Sequence, residues 1–128
     1  MRTYVLAVLT ALSLTAAAAP VPDAAHVSIT LDNFKFIPES VHVPATTPVV
    51  LTLTNVGSGG HNFAAPGFFT ASTIADADAG LIKKGRVEVA KGTTVTLHLT
   101  TPAPGHYPLK CTHFLHAGFG MKGEIVAD

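Results

Sequence analysis

Apolar residues recur at every second position in short segments of this chain, and that period restricts it to β-sheet. Val27, Ile29 and Leu31 alternate with His26, Ser28 and Thr30, and Val49, Leu51 and Leu53 alternate with Val50, Thr52 and Thr54. Val87 and Val89 bracket Glu88, while Val95, Leu97 and Leu99 alternate with Thr94, Thr96, His98 and Thr100. Successive side chains of a strand point to opposite faces, so each segment carries one apolar and one polar face. Several such segments separated by turn residues predict half-buried antiparallel strands, and so a sandwich or barrel. Pro38, Pro44, Pro48, Pro102, Pro104 and Pro108 fall at segment edges, where proline also blocks unwanted edge pairing. Lys91-Gly92 marks a tight turn between two strands. From Phe68 to Leu81 the alternation stops, which predicts a short helix or an irregular excursion around 68–81.

The start of the chain follows a different rule. Arg2 gives a short positive start, Tyr4 to Leu14 is apolar apart from Thr10 and Ser13, and small residues run through Ala19. This is the layout of a signal peptide, with cleavage expected after Ala18. The apolar run falls short of the ~20 residues that a membrane span needs. We therefore expect a signal peptide at 1–18, a short extension at 19–24 and one folded domain at 25–128, exported to the periplasm or beyond the cell. Without Arg2, seven basic side chains face eight acidic ones. That balance offers no basic footprint for nucleic acid or an anionic membrane. A monomer with no membrane span in its mature form is expected.

Cys111 is the chain's single cysteine, so an internal disulfide is impossible. In an exported protein such a thiol is reactive, joined to another chain, or bound to metal. Its neighbours favour metal. Cys111, His116 and Met121 are spaced five residues apart, which places a thiolate, an imidazole and a thioether on one loop. His61, in Gly-Gly-His-Asn-Phe, supplies a second imidazole. Two imidazoles and a thiolate in a near-trigonal array, with a weak axial thioether, suit copper that changes oxidation state.

Strand parity supports this set. A strand that buries Tyr107 and Leu109 turns the Cys111 sulfur inward, Met121 shares a face with Ile125, and His61 shares one with Phe63. Asn62 follows His61 and Thr112 follows Cys111, so a hydrogen bond between them would tie the two ligand loops together. His113 stands too close to Cys111 to complete a trigonal site comfortably, which predicts a supporting or exposed role. His26, His42, His98 and His106 fall on outward faces. Phe68, Phe69, Phe114, Leu115 and Phe119 are expected to form an apolar collar around His116 for brief docking of a partner.

With these residues in view, the chain resembles the cupredoxins, the small blue copper proteins that include plastocyanin, azurin, auracyanin and rusticyanin. The Phe-Lys-Phe-Ile-Pro-Glu-Ser-Val-His-Val segment is similar to the family's early strand pair. Leu-Thr-Asn-Val-Gly resembles the strand and loop that deliver the first histidine, and Tyr-Pro-Leu-Lys-Cys the strand that delivers the cysteine. The Cys-x4-His-x4-Met spacing and the Gly-Met-Lys-Gly ending resemble auracyanin- and rusticyanin-like members. The resemblance implies a Greek-key β-sandwich of seven or eight strands, with one copper near one end. It implies His61, Cys111 and His116 as equatorial ligands, Met121 as the axial one, and the Gly60 carbonyl opposite it, as in azurin. Many members with this loop length place Pro-Gly before the second histidine, whereas this chain has Phe114-Leu115.

The function expected is one-electron transfer through a type 1 copper site. Partners would be cytochrome- or oxidase-type redox proteins docking transiently near His116. No general acid, general base or open substrate position is evident, so an enzyme is not expected. One rival is a copper-handling protein for storage, delivery or resistance, which could use the same ligands together with His113. A Cys-His hydrolase is the other, disfavoured because the cysteine lies on a β-loop rather than at a helix start. The dinuclear copper centre of oxidases is excluded, since it needs two cysteines.

Overall fold

The computed structural model describes residues 24–128. The expected signal peptide and all but the last residue of the 19–24 extension lie outside the described residues. The alternating segments become strands: β1 (Ala25–Asp32), β2 (Lys35–Ile37), β3 (Ser40–Val43), β4 (Pro48–Asn55), β5 (His61–Ala64), β6 (Thr73–Ile74), β7 (Arg86–Val89), β8 (Thr94–Thr100), β9 (Gly105–Lys110) and β10 (Lys122–Ala127). They form two sheets, ordered β2-β1-β4-β8-β6 and β3-β10-β9-β5-β7. The fold is thus a β-sandwich, with the shortest strands, β2 and β6, at the edges of one sheet. Among the described residues no helix is long and apolar enough to cross a membrane.

Pairing is mixed rather than wholly antiparallel. β1 runs parallel to β4 (Ile29 opposite Leu53) and β10 parallel to β3 (Ile125 opposite Val41). The other ladders are antiparallel, including β4 with β8 (Leu51 opposite Leu97) and β9 with β10 (Leu109 opposite Gly123). Period-two alternation reads the same in either direction, so sequence pattern could not separate the two cases.

The inward faces meet in one core. Ile29, Leu31, Leu51, Leu53 and Leu97 come from one sheet, and Val41, Phe63, Val87, Val89, Leu109 and Ile125 from the other; all are buried. Phe63 lies at its centre, edge-on to Phe36 and Phe69 with ring centroids 5.9 Å away in each case. The Lys91-Gly92 turn forms between β7 and β8, with Gly92 at a φ of 72° that favours glycine.

The excursion at 68–81 resolves into a helix α1 (Pro66–Ala71), the short strand β6 and a 3₁₀ turn at Ala79–Leu81. Proline at the start of α1 suits a position whose N–H has no helical partner. Phe68 and Phe69 are buried on the inner side of α1, and Phe68 packs edge-on to Tyr107. The collar expected from the sequence therefore loses these two members: they are core.

Asp78 ties the excursion back to the sheet. Its carboxylate accepts the His98 backbone N–H at 2.7 Å and lies 2.8 Å from that ring's Nδ1. The backbone bond first, then the bond to the ring, hold the Asp78 carboxyl below its usual 3.8, outweighing the opposing effect of burial. A carboxyl depressed by folding stabilises the fold above its unfolded pKa and loses that contribution as pH falls through the folded one. Asp78→Asn should therefore lower the urea midpoint at neutral pH. The gap from the parent should narrow as the pH drops below 3.8.

Candidate metal centre

β4 and β5 belong to different sheets, so the connection at 56–60 crosses one end of the sandwich. The buried Asn55 shapes it: its Nδ2 donates to the carbonyls of Gly59 and Val89, both at 2.9 Å, and its Oδ1 accepts the Gly57 N–H. The crossing delivers His61 to the first position of β5, only 2% exposed. At the same end, β9 and β10 are joined by the loop 111–121. Its neck is closed by Cys111 N–H donating to the Met121 carbonyl and Met121 N–H donating to the His116 carbonyl, both at 3.0 Å.

These loops bring three donors together. The Nδ1 atoms of His61 and His116 are 3.1 Å apart, and Cys111 Sγ lies 3.5 Å from His116 Nδ1. All three donor atoms lie within 4.8 Å of one another. Donors that share one ion at ~2.0–2.3 Å must converge in this way. Burial first, and then repulsion from His116 and His113, push the His61 imidazole below its usual 6.5. Both effects favour the neutral ring, the form whose lone pair can bind a metal. Its Nε2 is buried with no hydrogen-bond partner. The residues present fit a soft or borderline transition metal. Met121, the fourth residue of the set, is fully buried at the base of the loop, in the same apolar cluster as Cys111.

The surroundings restrain the sulfur and the loops. Asn62 N–H donates to Cys111 Sγ at 3.4 Å. The Asn62 side chain donates to Thr112 Oγ1 at 2.7 Å and accepts the Thr112 N–H at 2.8 Å, so the expected bond between the loops is double. Glu88 was legible only as an outward residue of β7, yet it holds both sides. Oε1 accepts from Asn62 at 2.9 Å and Oε2 pairs with His113 Nε2 at 2.8 Å. Burial favours the protonated Glu88, but the bonds from Asn62 and His113 outweigh it and hold the carboxyl below its usual range. His113 is thus engaged outside the donor cluster, while Gly60 lies half-buried beneath it. Asn62→Ala breaks these links, and we expect metal affinity to fall ~10–100-fold, read by competition with a chelator.

The profile of the cupredoxin-like domain family matches residues 3–127. The chain belongs to that family. Among solved structures, this cupredoxin is similar to dithionite-reduced auracyanin from Roseiflexus castenholzii, at 19% identity and a TM-score of 0.61 over 82% of this chain and 98% of that one. Auracyanin B matches at 23% identity and 0.61, over 86% and 93%. Auracyanin A, a "blue" copper protein from Chloroflexus aurantiacus, matches at 22% and 0.55, over 81% and 100%. These likenesses establish a shared fold. No curated protein matches the sequence.

The ligand loop of this cupredoxin solves its own backbone problem where Phe114-Leu115 precede His116. Leu115 adopts a φ of 62°, a left-handed conformation that glycine takes more readily. The turn outward leaves Phe114 88%, Leu115 55% and Phe119 65% exposed around the half-buried His116. Phe34, from the β1–β2 turn, joins them edge-on to His116 with centroids 5.1 Å apart. Nothing in the alternation of β1 pointed to Phe34, because its contact is set by how the turn folds over the loop.

Proposed function

We propose that this cupredoxin is an exported one-electron carrier that holds a single copper ion through His61, Cys111, His116 and Met121. The observation that carries the reading is the convergence of two imidazole Nδ1 atoms and one buried thiol sulfur. Bound there, copper supplies a redox couple between Cu(II) and Cu(I). The chain's contribution is to fix the donors. β5 carries His61 and β9 ends one residue before Cys111, and the Asn62–Thr112 bonds oppose movement between the two segments. Asn62 N–H also donates to the Cys111 sulfur and restrains its position. Gly60, directly before His61, would offer its carbonyl as a further weak donor to the ion.

His116 is the more exposed imidazole and lies amid Phe34, Phe114, Leu115 and Phe119. Such an apolar rim suits brief contact with a redox partner of cytochrome or oxidase type, with the electron passing along the His116 ring. The copper-handling alternative would draw on His113, but that imidazole is bonded to Glu88. Copper(II) added to the purified protein should give an intense sulfur-to-copper visible band at one equivalent and reversible one-electron voltammetry. A colourless, redox-silent complex would refute the carrier reading.

A further inference from the structure

Four non-glycine residues among those described have left-handed backbone conformations, and two of them, Phe34 and Leu115, lie against His116. For a bulky aromatic residue a φ of 57° is an outlier in a region that side chains avoid. Such strain persists only where surrounding contacts enforce it, and it concentrates at functional sites. The contacts around Phe34 identify what enforces it. Its ring meets His116 edge-on at 5.1 Å and Phe119 at 5.3 Å.

Asn33, one residue earlier, reaches the other ligand loop. Its Oδ1 accepts both the N–H and the hydroxyl of Ser58, at 2.9 and 3.0 Å. Gly57 lies between that amide and His61. A Cβ at Gly57 would stand 2.6 Å from His61 Nε2 and 3.0 Å from Asn33 Oδ1. The His61 ring, the bare Gly57 backbone and the Asn33 amide therefore form successive layers with no space for a side chain. A two-residue turn thus braces both loops that carry histidines.

We propose that the Asn33–Phe34 turn positions both histidines. Asn33 fixes the 56–60 loop over His61, and Phe34 holds the plane of the His116 ring. The proposal rests on the reading of both imidazoles as copper ligands, but the bracing itself exists without metal. Asn33 and Phe34 touch no metal; they act through the loops and rings that do.

The test uses Asn33→Ala and Phe34→Gly in the full mature chain. Side-chain NMR of the metal-free protein should show the His116 ring resonances shifted and broadened in Phe34→Gly, with His61 little changed. Asn33→Ala should give the reverse. Copper affinity, measured against a competing chelator, should fall ~10-fold in each. Because glycine relieves the left-handed backbone, the unfolding midpoint of Phe34→Gly should stay close to that of the parent, which a purely structural role for the ring would not allow. Phe34→Asn, which also tolerates this conformation, gives the same readout if glycine loosens the fold. Unchanged histidine resonances in both variants would overturn the proposal. Ring resonances that respond while copper affinity stays constant would uphold the bracing and refute the ligand assignment beneath it.

Discussion

Cys111→Ser should abolish the intense visible absorption of the copper-loaded protein, because that band requires a thiolate donor, which the Met121 thioether cannot replace. Copper affinity should fall by more than the ~10–100-fold typical of losing an outer hydrogen bond to a ligand. The fold should survive. Cys111 is fully buried just after β9, and serine is nearly the same size, but it places a hydroxyl among apolar neighbours. We expect a loss of about 1–3 kcal/mol in the metal-free protein, moderated by the Asn62 N–H that now meets an oxygen. Absorption titration and urea unfolding of the same samples separate the two effects. A variant that keeps the band would remove Cys111 from the site.

Phe63→Ala should cause the largest loss of stability. Its ring is fully buried between Phe36 and Phe69, where both sheets and α1 meet. Removing such a ring costs about 3–5 kcal/mol, a large share of the ~5–15 kcal/mol that holds a domain folded. The damage should extend to the site, because His61 lies two residues earlier on the same strand. A ligand that binds only the folded state raises stability with its concentration, so copper should restore part of the lost midpoint. Guanidinium unfolding with and without copper measures both. A loss below about 1 kcal/mol would mean that the core does not pivot on Phe63.

The sheets and the donor set were legible for the same reason: both depend on local spacing. Alternation located β1, β4, β7 and β8, and parity correctly sent Cys111 and Met121 into the core. In β5 parity carried less information, since His61, Asn62, Phe63 and Ala64 are all buried. Asn62 turns away from the core, and it is buried there beneath its own bonds to Thr112 and Glu88, two residues that are themselves exposed.

What escaped the sequence depends on contacts between distant segments. Glu88 and Asn33 occupy positions that read as ordinary solvated residues, and Phe34 gains its role only when its turn folds over the ligand loop. Phe68 and Phe69 were misplaced for the opposite reason. Their nearness to ligand segments in sequence suggested the rim, but α1 turns both rings into the core. The parallel pairs β1–β4 and β3–β10 were likewise invisible, because strand direction leaves no trace in a period of two.

The central claim is that one set of donors holds copper in both oxidation states with little rearrangement. X-ray absorption at the copper edge tests it most directly, on the protein loaded with one equivalent and measured oxidised and then reduced. One short copper–sulfur distance and two copper–nitrogen distances should be found, and they should hardly change on reduction. A site without sulfur, or one that exchanges a nitrogen donor when the electron arrives, would contradict that claim.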